Sequence, residues 1–355
     1  MKKIVLTGGG TAGHVTPNIA LLPALRAGGY DIQYIGSYNG MEAALIADYD
    51  IPYHGISSGK LRRYFDLKNF TDPFRVIKGF FEAKKLMKEL CPDVVFSKGG
   101  FVSVPVVIAA KRCKVPVIIH ESDMTPGLAN KLCFSSATRI CCNFPETEEK
   151  LPAGKAVLTG SPIRSELKDG NAEEGRRFCG IGSDKPVILV MGGSLGAANV
   201  NAAVRRILPE LLKEYYVVHL CGKGKLDTSL TDTPGYVQFE YIKDELKDLF
   251  AMCELVISRA GANAICELLY LNKPNLLIPL SKEASRGDQV LNARSFEKQG
   301  FSKVLEEEEI TDELLIRTVR DLHADRDTYI KAMQNSSQSD AVSTVMNLLE
   351  EVRRK

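Results

Sequence analysis

Three groups of residues in this chain have the types and spacing to do chemistry. Gly8-Gly9-Gly10-Thr11-Ala12-Gly13-His14 sets an imidazole in a glycine-rich loop. Glycines let the backbone come close to an anion, and Gly8-x-Gly10-x-x-Gly13 has the spacing of a dinucleotide fingerprint. His14 adds a group whose ordinary pKa of about 6.5 allows proton exchange near neutrality. The second group, His120-Glu121-Ser122-Asp123, puts a base and two carboxylates directly after the apolar run Val117-Ile118-Ile119. The third comprises Gly192-Gly193-Ser194-Leu195-Gly196, Ser258-Arg259-Ala260-Gly261, Glu267, and the pair Asp288-Gln289. The glycine loops among these suit backbone capture of a phosphate. Each group also has a plainer reading: a glycine turn that only packs helix on strand, a solvated strand tip, an exposed helix carboxylate at Glu267, a helix cap at Asp288.

Each group needs a strand that ends in it. Ile4-Val5-Leu6-Thr7 runs into the first glycine loop, and a helical pattern with Ile19, Leu22 and Leu25 runs out of it from Pro17. Val187-Ile188-Leu189-Val190-Met191 runs into the second loop, followed by a helical stretch from Ala197 to Glu214. Further strand signals fall at 32–35, 93–97, 116–120, 138–142 and 156–159, and then at 216–220, 236–240, 254–258 and 275–279, with helices between. Such alternation predicts parallel sheets. Two series, each opening on its own glycine loop, predict two doubly wound α/β domains. The turn-forming Gly160-Ser161-Pro162-Ile163-Arg164 marks the boundary, giving domains 1–162 and 163–338. Ligands in such sheets bind beyond the carboxyl ends of the strands, so a cleft between the domains is the expected site.

A length of 355 residues agrees with two domains. The formal net charge of +2 is unevenly spread: residues 1–160 carry 20 Lys+Arg against 14 Asp+Glu, the remainder 26 against 30. The first half is therefore the one expected to meet something anionic. Nine cysteines show no metal or CxxC spacing and read as small buried hydrophobes in a reducing compartment. The apolar run behind Met1-Lys2-Lys3 is too short for a signal peptide, and no run reaches membrane-spanning length, so any membrane association is expected to be peripheral. Asp48-Tyr49-Asp50 and Asp325-Arg326-Asp327 are the only Asp-x-Asp triplets, and neither follows a strand, so no metal is expected on a diphosphate.

The stretch from Lys60 to Lys88 differs from the rest. It holds nine Lys/Arg against Asp66, Asp72 and Glu82, and the pattern predicts a helix over 73–90. Val76, Phe80, Ala83, Met87 and Leu90 form one apolar stripe of core type. Phe74, Ile77 and Phe81 form a second, bordered by Arg75, Lys78 and Lys85. Apolar residues ringed by basic ones suit an anionic membrane surface; the alternative is one wide core face with solvated lysines.

The order of these motifs resembles the MurG family. The resemblance rests on Gly8–His14, Gly99-Gly100-Phe101-Val102-Ser103 followed by His120–Asp123, Gly160–Arg164, Gly192–Gly196, Ser258-Arg259-Ala260-Gly261-Ala262-Asn263-Ala264-Ile265-x-Glu267, and Gly287-Asp288-Gln289-x-x-Asn292-Ala293. It spans the chain, and Ile56–Tyr64 and His120–Asp123 are similar to the low-GC Gram-positive versions. It implies a GT-B glycosyltransferase fold, two Rossmann-like domains facing a cleft, with the C-terminal helix 339–355 packed back on the first domain. It implies inverting transfer of GlcNAc from UDP-GlcNAc to the C4 hydroxyl of MurNAc in lipid I, giving lipid II. It also implies a peripheral place at the cytoplasmic face of the cell membrane. The implied partners are lipid I, anionic phospholipid through residues 60–88, and other cell-wall synthesis proteins, but no nucleic acid and no cofactor.

By resemblance, His14 is the acceptor-side base or a group that orients the acceptor, and His120 and Glu121 are second candidates for placing either. Thr11, Ala12 and Gly13 match the loop at the sugar end of the donor. Ser194 and its loop match the diphosphate contact, and Arg164 matches a further donor contact. Ile242 matches the backbone reader of uracil, Glu267 the holder of the ribose hydroxyls, and Asp288 with Gln289 the pair on the GlcNAc hydroxyls. Three positions depart from the commoner pattern: Ala12 replaces a glycine, Asp123 an amide and Asp288 a glutamine. Two other classes remain open at this point. A nicotinamide-dependent oxidoreductase needs an acid at the end of the second strand, which ends instead in Tyr34-Ile35-Gly36-Ser37. A UDP-GlcNAc 2-epimerase of the same fold needs no acceptor.

Overall fold

Runs that are apolar at every position become strands buried on both faces of two parallel sheets. The computed structural model describes residues 1–59, 68–193, 196–281 and 287–354. The first sheet has seven strands: β1 (Lys2–Thr7), β2 (Tyr30–Ser37), β3 (Tyr53–Ile56), β4 (Val94–Ser97), β5 (Val117–Glu121), β6 (Arg139–Cys142) and β7 (Ala156–Leu158), in the order β3-β2-β1-β4-β5-β6-β7. The second has six: β8 (Val187–Met191), β9 (Tyr216–Leu220), β10 (Tyr236–Phe239), β11 (Leu255–Ser258), β12 (Asn275–Leu277) and β13 (Lys303–Val304), in the order β10-β9-β8-β11-β12-β13. Every pairing is parallel, for example Leu6 beside Phe96 and Ile257 beside Val190. Each sheet reverses its strand order beside its first strand, which places a topological switch point at the end of each glycine-loop strand.

The chain divides into Met1–Arg164 with Asp340–Lys355, and Ser165–Ser339. In the first unit, the core on one side of the sheet gathers Val5, Val95, Ile119 and Val106, and the core on the other gathers Leu6, Leu22, Phe96 and Ile118. Helix Ala341–Val352 belongs to the second of these, with Val345 and Leu349 fully buried. Its polar flank is pinned as well: Glu350 accepts from Lys2 Nζ and Tyr30 Oη, each at 2.7 Å, and Arg139 pairs with Glu351 at 2.6 Å.

Two strands are absent from the sequence reading. β3 pairs only with β2, and β13 only with β12. Both are edge strands without a continuous apolar run: β3 is interrupted by His54 and Gly55, and β13 is only two residues long. The helix expected over 73–90 spans Lys68–Leu90, starting more than a turn upstream of Pro73, a residue that reads locally as a helix start. The basic residues Lys60, Arg62 and Arg63 lie outside the described residues.

Candidate functional site: two glycine loops at matching sheet positions

In the first unit the loops after β1, β4 and β5 lie side by side, because those strands are neighbours in the sheet. Gly8–His14 follows β1, Lys98–Gly100 follows β4, and Ser122–Gly127 follows β5. The first two loops touch: Gly9 N–H donates to the Gly99 carbonyl at 3.3 Å. Gly100 has φ +85°, and a β-carbon there would lie 2.2 Å from the Gly9 carbonyl oxygen, so only glycine permits this approach. Glu42, buried at the start of helix Met41–Ala47, braces the same loop by accepting from Gly10 N–H at 3.2 Å and Ser37 N–H at 2.9 Å.

His14 closes the 3-10 turn Ala12–His14 and is half-buried. Its Nδ1 lies 3.1 Å from the Gly9 carbonyl oxygen and 3.0 Å from Thr11 Oγ1. A carbonyl oxygen only accepts, so Nδ1 carries the proton and Nε2 the lone pair. Burial, and after it the charge of Lys98, push the imidazole pKa down to about 4; the Gly9 carbonyl and Glu42 pull the other way. The ring is therefore neutral at physiological pH. Thr11 and Ala12 are exposed at the loop tip and Gly13 is half-buried.

His120 and Glu121 are buried and fully engaged. His120 Nε2–H donates to the Gly160 carbonyl at 2.8 Å, and Nδ1 lies 2.9 Å from Lys98 Nζ. Burial and Lys98 hold its pKa well below the ordinary value. Glu121 organises its own loop: Oε1 accepts from Asp123 N–H at 3.0 Å, and Oε2 accepts from Gly127 N–H at 3.0 Å and Asn130 Nδ2 at 2.9 Å. This geometry makes both residues supports of the loop that carries the half-buried Asp123.

The second unit repeats the plan. The loops after β8, β11 and β12, again neighbouring strands, border a cavity of about 470 Å³. Its lining includes Gly192, Gly193, Gly196, Arg259, Gln289 and Glu307. Gly196 has φ +68°, and a β-carbon there would lie 2.0 Å from the Cys221 carbonyl oxygen. Helix Ala198–Glu214 begins immediately after this loop, so its first N–H groups and positive dipole end belong to the same site. Gln289 Oε1 accepts from Leu280 N–H at 3.0 Å, which leaves its NH2 as the end available to a ligand. Ala264 lines the cavity and half-buried Glu267 stands one turn further along the same helix. Ile242, buried after β10, and Asp288, at the start of helix Asp288–Lys298, lie outside the lining. Ser194 lies outside the described residues. Arg164, the last residue of the first unit, is half-buried, and its Nε finds no hydrogen-bond partner among the described residues.

Three charged residues escaped assignment from sequence. Arg259 is held by the carbonyls of Ile278 at 3.1 Å and Pro279 at 3.0 Å and pairs with Glu307, to which Asn199 also donates. Glu42 and Lys98 brace the first site. Lys98 and Arg259 each sit beside a recognisable glycine turn, which is a signal that was available; Glu42 has none.

On helix Lys68–Leu90 the two apolar stripes separate. Ala83 and Met87 are buried, with Phe80, Leu86 and Leu90 packed against the same core. Phe74, Ile77 and Phe81 are exposed (74%, 55% and 62%) beside the largely exposed Arg75, Lys78 and Lys85. Among the described residues no helix is long and apolar enough to cross a membrane.

Fold and site define a nucleotide-sugar glycosyltransferase with two Rossmann-like α/β domains of the GT-B type. Residues 4–142 match the glycosyltransferase family 28 N-terminal domain, and residues 187–348 the family 28 C-terminal domain. The chain is 66% identical over 351 residues to the UDP-N-acetylglucosamine--N-acetylmuramyl-(pentapeptide) pyrophosphoryl-undecaprenol N-acetylglucosamine transferase of Lachnospira eligens, covering 99% of each chain. It is 63% identical to the protein of the same name from Lachnoclostridium phytofermentans over the full length of both. The crystal structure of Acinetobacter baumannii MurG, 28% identical, superposes with a TM-score of 0.79 over 99% of this chain and 100% of that one. This chain belongs to the MurG family.

Proposed function

We infer that the protein transfers GlcNAc from UDP-GlcNAc to the C4 hydroxyl of MurNAc in lipid I, with inversion, giving lipid II. The observation that carries this reading is 66% identity over 351 residues, a span that covers both domains. The second unit is the donor domain. The diphosphate sits on the Gly192–Gly196 loop, Ser194 included, at the start of helix Ala198–Glu214, where backbone N–H groups supply the stabilisation that a metal would otherwise give. Arg164 offsets charge on the departing UDP. The backbone of Ile242 reads uracil, Glu267 holds the ribose hydroxyls, and Gln289 offers its NH2 to a GlcNAc hydroxyl with Asp288 beside it.

The first unit is the acceptor domain. His14 Nε2 takes the proton of the C4 hydroxyl as that oxygen attacks the anomeric carbon from the face opposite UDP. Thr11, Ala12, Gly13 and Asp123 shape the surface around it, and His120 and Glu121 set the position of Asp123. Phe74, Ile77 and Phe81 enter the headgroup region of an anionic membrane while the flanking lysines and arginines meet lipid phosphates, so the protein is peripheral at the cytoplasmic face.

The test is product analysis with UDP-GlcNAc and a short-chain lipid I analogue. The expected product is a lipid-linked disaccharide whose NMR coupling reports a β(1→4) linkage. Recovery of UDP-ManNAc without disaccharide would replace this reading with that of an epimerase.

A further inference from the structure

Lys98 is 1% exposed. An ammonium group so far from water is costly unless its protons meet acceptors. Nζ lies 2.9 Å from His120 Nδ1 and also donates to Ser122 Oγ. The opposite edge of the His120 ring fixes the tautomer: the Gly160 carbonyl, 2.8 Å from Nε2, can only accept, so Nε2 holds the proton and Nδ1 turns a lone pair to Lys98. The root of the lysine lies against the first glycine loop. Its N–H donates to the Thr7 carbonyl at 2.9 Å, and a β-carbon on Gly8 would stand 3.2 Å from Lys98 Cβ and 2.3 Å from the His14 carbonyl oxygen.

We propose that Lys98 is a positioning residue for the transfer: its buried side chain, held by His120 and Ser122, ties the His120–Asp123 loop to the first glycine loop, against which its own backbone packs. The proposal rests on the reading of His14 as the base. Two charged groups face that ring from other elements. Glu42, on helix Met41–Ala47, favours the imidazolium, and Lys98, after β4, opposes it; the Gly9 carbonyl in the ring's own loop holds the Nδ1 proton. Removing the lysine charge should therefore make the His14 ring easier to protonate, which is the change the experiment reads.

The experiment follows His14 by NMR in the full-length protein labelled at histidine nitrogen, with the signal assigned from His14→Ala. In Lys98→Met the His14 titration midpoint is expected to rise by roughly one pH unit, the effect of losing a single nearby charge in a medium of effective dielectric about 20. Lys98→Gln, which keeps a donor for Ser122 but no charge, is expected to show the same rise and serves if the methionine variant does not fold. Ser122→Ala keeps the charge and loosens the tie, so KM for the acceptor is expected to rise several-fold with the midpoint unmoved. An unmoved midpoint in the uncharged variants, with His14→Ala inactive, overturns the role of Lys98 alone. Full turnover by His14→Ala overturns the base reading and this proposal with it.

Discussion

Held down to about 4, the His14 imidazole presents an unprotonated Nε2 at any pH above 5. The value of kcat/KM is therefore expected to stay level from pH 8 to about 5.5, where a histidine of ordinary pKa would already have lost about tenfold. A pH series with soluble acceptor checks this. His14→Ala is expected to lower kcat by roughly 10²- to 10⁴-fold, the usual worth of a positioned base, while UDP affinity by calorimetry is unchanged. At this scale the loop that carries His14 was legible, because an apolar run that breaks into glycines reads locally as the end of a strand. The burial of Lys98 and Glu42 was not. A lysine or glutamate in sequence reads as solvated surface, and only long-range packing of the β1, β2 and β4 ends encloses these two.

Among the elements, the glycine loops are the most exposed to single substitutions. Gly196→Ala forces a methyl group into the Cys221 carbonyl at a backbone angle that side chains avoid, so the loop must shift. UDP binding by calorimetry is expected to weaken by at least roughly tenfold, since the N–H groups on the diphosphate move with it. Helix Lys68–Leu90 offers the opposite case, a change without effect on fold. Replacing Phe74, Ile77 and Phe81 together by serine is expected to abolish co-sedimentation with anionic vesicles. It should leave Tm nearly unchanged, because exposed side chains contribute within about 0.5 kcal/mol each. Turnover on a water-soluble acceptor should persist. The sequence separated the two stripes of this helix by spacing and marked the first as core; packing shows that the core does not take the second as well. Central strands such as Ile4–Leu6 and Ile188–Val190 were readable because both faces are buried; β3, interrupted by His54 and Gly55, and the two-residue β13 carry no such pattern.

For the whole molecule, histidines with lowered pKa values link stability to pH. His14, His54 and His120 in the first unit and His219 in the second have pKa values lowered mainly by burial, His219 to about 3. As pH falls through the unfolded value of about 6.5, the unfolded chain takes up protons that the native chain refuses, so stability is lost progressively toward the folded values. Each such histidine costs up to about 1.4 kcal/mol per pH unit in that window. Calorimetry from pH 7 to 5 is expected to show two transitions, with that of the first unit falling further. Unit-level architecture was the most legible feature of the chain: two strand–loop–helix series gave two doubly wound sheets. Helix Ala341–Val352, distant in sequence, joins the first unit because its apolar face completes that core.

The most direct test of the account is the rate of UDP release from UDP-GlcNAc with and without a short-chain lipid I analogue. Release is expected to depend on the acceptor and to saturate with it, one UDP for each disaccharide formed. Equal release in the absence of acceptor would overturn the transfer reading, since the donor chemistry would then proceed without an acceptor hydroxyl.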